Sequence, residues 1–184
     1  MTGAPQPTQQ RWPWWVQWLL AYAVAGALAG VCGLAVVELG VYDVRAIRPH
    51  NAAFAWATHT TMIHSVRLRA GGSTTLHVTP QQAKAGFALY DANCALCHGG
   101  PAISRAAWVS GMTPTPPYLV DAADRWTPAQ LHFIIAGGVK MTGMPAWGTT
   151  LSDGQISDLV NFLEVMPYTT GSDYQRLRAA NAKH

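Results

Sequence analysis

The sequence predicts an all-α protein, with a transmembrane helix at the amino end, an amphipathic helix after it, and a small helical domain in the remainder. Three observations predict this class. Residues 14–37 are apolar and carry no charged side chain. Residues 52–69 contain neither glycine nor proline and place apolar side chains at helical spacing. Residues 81–93 and 155–165 each follow a helix-start signal.

The composition excludes several classes of function. The chain has 184 residues, of which 49% are hydrophobic and only 11% are charged, against about 25% charged in a typical soluble domain. The net charge is +3 and the arginines are scattered, so we expect no binding to nucleic acid. We find no glycine-rich phosphate loop, and no nucleophile–base pair or carboxylate dyad that would indicate hydrolysis.

Residues 14–42 are predicted to be a membrane anchor, preceded by a disordered tail at residues 1–13. At 1.5 Å per residue the apolar run is long enough to cross ~30 Å of hydrocarbon. The alternative is a cleaved signal peptide, but an apolar signal core is about 7–15 residues long, whereas this run is longer and lacks a strongly basic start. Tryptophans at the start form an interfacial belt, and small residues form one face that can pack against another helix: Ala25, Gly26, Ala29, Gly30 and Gly33.

Residues 43–79 are predicted to be an amphipathic helix and an extended connector, with Asn51 as the N-cap and the glycines after Arg69 as the stop. This helix 51–69 could lie on the membrane surface, pack on the following domain, or dock a partner subunit. We interpret His50, His59 and His64 as polar helix positions rather than metal ligands.

Residues 80–167 are predicted to be one helical domain. A helix begins at Thr79-Pro80, another at Thr127-Pro128, and a third at Ser152 or Asp153. Residues 168–184 are a polar tail whose sequence is uninformative.

The most specific motif in the domain is Cys94-Ala95-Leu96-Cys97-His98. Two cysteines three positions apart, followed at once by histidine, are the attachment signature of a c-type haem. The two thiols add to the two vinyl groups of the porphyrin, and the imidazole binds the iron. A zinc site would need a second ligand pair, but the remaining cysteine, Cys32, lies in the apolar run. A redox dithiol would need a βαβ pattern, which is absent.

With this motif and two further segments, residues 80–167 resemble the class I cytochromes c. The second segment is Lys140 to Gly148, similar to the family's axial-methionine loop, and the third is Leu159 to Leu163 in the last helix. The resemblance implies one covalently bound haem c and a helical fold whose first and last helices cross. Gly86 in the first helix would permit the close approach.

The resemblance also implies the second iron ligand. Met144 is followed by Pro145, as in the family, and lies in a glycine- and proline-containing loop. Met141 is the near competitor and Met112 a more distant one. A thioether is a soft, neutral donor that raises the iron's potential relative to a second imidazole or water.

Further haem contacts follow from the same resemblance. In the family a proline-rich loop passes the proximal side of the haem, so the carbonyl of Pro116 or Pro117 is expected to accept a hydrogen bond from the imidazole. Trp147 is expected to pack over the haem edge. Arg105, Arg125 or Trp126 could pair with a haem propionate, although a solvated arginine is the default.

An iron with two protein ligands has no open position, so the sequence favours an electron carrier over an enzyme. Because c-type haem is attached on the periplasmic side, we expect a single-pass protein of the bacterial inner membrane with its haem domain in the periplasm. Redox proteins are the expected partners, in a hetero-complex formed through the transmembrane helix and helix 51–69. The alternatives are a haem sensor or catalytic haem protein with a displaceable sixth ligand, and a structural or assembly subunit.

Overall fold

Helices make up the secondary structure of residues 12–71 and 78–181, the part of the chain that the computed structural model describes. No strand occurs within these residues, which confirms the all-α class. The chain divides into two units, Met1–Arg45 and Ala46–His184. The helices are α1 (Trp14–Glu38), α2 (Ala52–Arg69), α3 (Pro80–Asn93), α4 (Ala95–His98), α5 (Ala122–Arg125), α6 (Pro128–Gly137), α7 (Asp153–Val165) and α8 (Gly171–Asn181), with 3₁₀ turns at Ala107–Gly111, Trp147–Thr149 and Met166–Tyr168.

The first unit contains α1, which is 25 residues long with a mean hydropathy of 2.2 in its most apolar window. None of its residues is buried within the protein. Among the described residues it is the one helix long and apolar enough to cross a membrane. The predicted anchor, residues 14–42, therefore contains this helix, which ends at Glu38. Residues 1–11 of the predicted tail lie outside the described part.

The second unit begins its main helices as the sequence predicts. Asn51 Oδ1 accepts from the Phe54 amide at 2.9 Å, which caps α2. Helices α3, α6 and α7 share one device, a capping box in which a hydroxyl residue and a glutamine three positions later bind each other's backbone amides. The three pairs are Thr79 with Gln82, Thr127 with Gln130, and Ser152 with Gln155.

The core forms where α3 crosses α7. A Cβ placed on Gly86 would lie 1.9 Å from the Asp158 carbonyl oxygen, so the two backbones are in direct contact there. The predicted role of Gly86 is confirmed. Beside this crossing the Phe87 and Phe162 rings meet edge to face, with their centroids 5.4 Å apart. The Tyr90 ring is tilted against Phe162, with a centroid distance of 5.3 Å. These buried aromatics fix the relative position of the two helices.

Helix α8 joins this core through Tyr174, which is completely buried. Its ring lies 5.0 Å from that of Phe87 and contacts Gly100, two residues after His98. The described part of the segment 168–184 is therefore integrated into the helical unit, although most side chains of the segment are polar or small.

Helix α2 packs on α6, with Val66 buried and Phe54, Met62 and Ile63 half-buried. This is one of the three arrangements that the sequence left open. His50 contacts the Phe54 ring at 4.7 Å, and His59 and His64 are exposed. Of the predicted connector 73–79, only residues 78 and 79 are described.

Candidate functional site

The Cys94–His98 motif forms one tight helical turn at the end of α3. Both the Cys97 and the His98 amides donate to the Cys94 carbonyl, at 3.1 and 2.9 Å. The turn ends at Gly99, whose φ of +67° is a conformation that favours glycine. Cys94 and Cys97 are free, half-buried thiols on this turn.

The thiol pKa and the neighbouring side chains bear on whether the motif is a haem attachment site, a redox dithiol or a zinc site. Burial, together with a smaller contribution from the neighbouring Cys97, raises the pKa of Cys94 to about 12. A redox-active dithiol needs a lowered thiol pKa, so the site does not resemble one. Within the described residues, no group of three His, Cys, Asp or Glu side chains is arranged to hold a metal ion, and a zinc site gains no support.

His98 is oriented by a backbone carbonyl. Its Nδ1 lies 2.7 Å from the Pro117 oxygen. A carbonyl only accepts, so Nδ1 carries the hydrogen and the Nε2 lone pair is free to bind a metal. Burial lowers the pKa of His98, the Pro117 carbonyl opposes this shift, and the positive charge of Arg105 adds to it. The net effect favours the neutral imidazole, which is the form that can ligate a metal ion.

The proline-rich loop that supplies this carbonyl is held at three consecutive residues. Arg105 Nη1 donates to the Pro116 oxygen, His98 to the Pro117 oxygen, and Arg125 Nη2 to the Tyr118 oxygen at 3.2 Å. The sequence offered Pro116 and Pro117 as alternatives, and the structure places Pro117 at the imidazole. Both arginines bind the loop, a role that the sequence does not indicate, because a backbone carbonyl has no residue signature.

The methionine loop lies between α6 and α7. Met144 is half-buried and packs against the core cluster. Thr142 Oγ1 accepts from the Met144 amide at 3.1 Å and donates to the Val139 carbonyl at 2.7 Å. Met141, in contrast, is 72% exposed. The loop therefore turns Met144 toward the interior and Met141 toward solvent.

Three other residues singled out in the sequence pack on the core cluster or on this loop. Trp147 and Trp126 are half-buried against the same core cluster that contacts Cys94 and Met144. The Met112 methyl group lies where a side chain on Gly143 would stand, 2.2 Å from its Cβ position. Met112 therefore packs directly on the methionine loop at Gly143.

The donor set fits a haem iron with covalent attachment. Two unpaired thiols occupy one turn, the adjacent imidazole presents a free Nε2, and a thioether sulfur is available on a half-buried side chain. Imidazole with thioether is a ligand pair used for haem iron in electron carriers.

Comparison with known proteins also supports a haem site. Residues 81–163 match a family model described as cytochrome c oxidase, cbb3-type, subunit III. A search of curated proteins and one of solved structures found no match. The matched stretch begins in α3, ends in α7, and includes the attachment motif, the proline-rich loop and Met144. The chain therefore contains a cytochrome c domain, at residues 81–163.

Proposed function

We propose that the chain is a membrane-tethered cytochrome c with one covalent haem, which transfers single electrons and performs no bond chemistry. The observation that carries the proposal is the hydrogen bond from His98 Nδ1 to the Pro117 carbonyl. It orients a neutral imidazole, with Nε2 available for a metal, beside two free thiols. The bound haem supplies reversible one-electron chemistry.

The residues of the chain would restrict that chemistry to electron transfer. Cys94 and Cys97 would hold the group covalently, and His98 and Met144 would be the two protein ligands of the iron. With both ligands bound, water and small ligands would be excluded from the iron. The packed core around Met144 and Trp147 keeps this arrangement similar in both oxidation states, which favours rapid electron exchange.

Helix α1 would tether the domain to the bacterial inner membrane, with residues 43–184 on the periplasmic side, where c-type haem is attached. A tether raises the effective concentration of partners in the same membrane. The matched family is named for a subunit of a terminal oxidase. We therefore assign the chain to a larger respiratory or dehydrogenase complex, with contacts through the small-residue face of α1 and through α2.

Purification of the full-length protein from membranes tests this function. We expect an intact mass that exceeds the polypeptide mass by one haem, and partner subunits that co-purify in mild detergent. The Cys94→Ser/Cys97→Ser double variant should lose the covalent haem entirely, and Cys32→Ser serves as the matched control that keeps it. Haem that organic solvent extracts from the wild-type protein would contradict covalent attachment, and a strictly monomeric protein would contradict membership in a complex.

A further inference from the structure

Arg105 is a half-buried arginine near the attachment turn whose charge is not used in an ion pair among those found in the described part of the chain. Its guanidinium instead makes two contacts with one loop. Nη1 donates to the Pro116 carbonyl, and Cζ lies 4.1 Å from the centre of the Tyr118 ring. These contacts flank Pro117, the residue whose carbonyl accepts from His98.

The Tyr118 ring is itself fixed from the attachment turn. A Cβ placed on Gly99 would lie 2.8 Å from Tyr118 Cε1, so the ring packs directly on the residue after His98. Arg105 therefore contacts the Tyr118 ring, and the ring in turn contacts Gly99. A planar guanidinium can cover an aromatic ring and still donate in its own plane, which an ammonium group cannot do equally well.

We infer that Arg105 is a positioning residue for His98: it holds Pro116 and Tyr118 so that the Pro117 carbonyl stays on the imidazole Nδ1–H. This inference rests on the proposed function, in which His98 is the iron ligand. Among the described residues, the hydrogen bond and the ring contact of Arg105 are both made with the loop and not with His98. Arg105 therefore positions the imidazole through the loop, as outer residues do at other metal centres.

Arg125 provides the matched control. It donates to the next carbonyl of the same loop, that of Tyr118, at 3.2 Å. However, Arg125 is exposed and forms an ion pair with Asp121, with 2.9 Å between Nη2 and Oδ1. Its replacement removes the same charge and a hydrogen bond to the same loop, but it leaves both flanks of Pro117 in contact with Arg105.

The test is exchange of the His98 ring N–H with deuterated water in the full-length holoprotein, with ¹⁵N-labelled histidine. The iron-bound ring is distinguished from the other histidines because the unpaired electron of ferric iron shifts its resonances. Arg105→Met should accelerate this exchange about ten-fold, as expected for an opening that is easier by about 1.4 kcal/mol. Arg125→Met should remain within two-fold of the wild type.

If Arg105→Met does not fold, Arg105→Lys replaces it, and we expect at least three-fold acceleration because one ammonium cannot both cover Tyr118 and donate to Pro116. Exchange at the wild-type rate in the folded Arg105 variant, or equal acceleration by Arg125→Met, would overturn the inference. A wild-type protein in which no histidine ring shows the paramagnetic shift would instead contradict the proposed function, so the two failures are distinguishable.

Discussion

Replacement of Met144 by alanine should lower the reduction potential of the haem by on the order of 100 mV, part of the ~0.8 V range that axial ligands cover. The thioether sulfur is soft and neutral, so it stabilises ferrous over ferric iron. Its loss leaves the sixth position to water or open. The variant should also bind carbon monoxide in the ferrous state, and both properties are measured by spectroelectrochemistry and optical titration.

Met141→Ala is the control for this prediction. The two methionines lie three positions apart in the same loop, but the Met141 side chain is 72% exposed whereas Met144 packs on the core cluster. We expect the potential of Met141→Ala to equal that of the wild type. A drop in potential in Met141→Ala together with an unchanged Met144→Ala would reverse the assignment of the ligand.

The second large effect is expected at the crossing of α3 and α7. Gly86→Ala should reduce the free energy of unfolding by about 3 kcal/mol, at the upper end for an overpacked core. The added methyl group would overlap backbone, since the Asp158 carbonyl oxygen is 1.9 Å from its position and Phe162 Cβ is 2.9 Å away. Because backbone cannot rotate aside, α7 has to move, and its buried contacts with Phe87 and Tyr90 are weakened.

Gly137→Ala is the matched control, because it adds the same methyl group to the end of α6, where nothing lies within 4 Å. We expect a change below about 1 kcal/mol, since alanine is a better helix former than glycine. Denaturant unfolding followed by circular dichroism measures both variants. Equal midpoints for Gly86→Ala and the wild type would show that the helices do not need this close contact.

Much of the fold can be predicted from the sequence because its signals are local. Asn51, Thr79, Thr127 and Ser152 are capping residues followed by apolar-periodic segments, and each begins a helix where the pattern indicates. Gly86 was expected at a helix crossing from the family resemblance, and it lies at one. The attachment motif likewise depends only on spacing within one turn.

The contributions that the sequence does not reveal depend on backbone atoms or on distant packing. Arg105 and Arg125 bind carbonyls of the loop at Pro116 and Tyr118, and any residue type presents a carbonyl. Tyr174 lies in a segment of mostly polar and small residues, so periodicity does not indicate its burial. The contact of α2 with α6 joins segments far apart in the chain, and no local pattern selects it.

The reaction of the reduced wild-type holoprotein with carbon monoxide tests most directly whether two protein ligands close the iron site. We predict that the optical spectrum of the ferrous protein is that of six-coordinate low-spin iron and remains unchanged when carbon monoxide is added at neutral pH. Rapid formation of a carbon monoxide complex by the wild-type protein would show an open or displaceable position, and it would favour a sensor or a catalytic haem protein over an electron carrier.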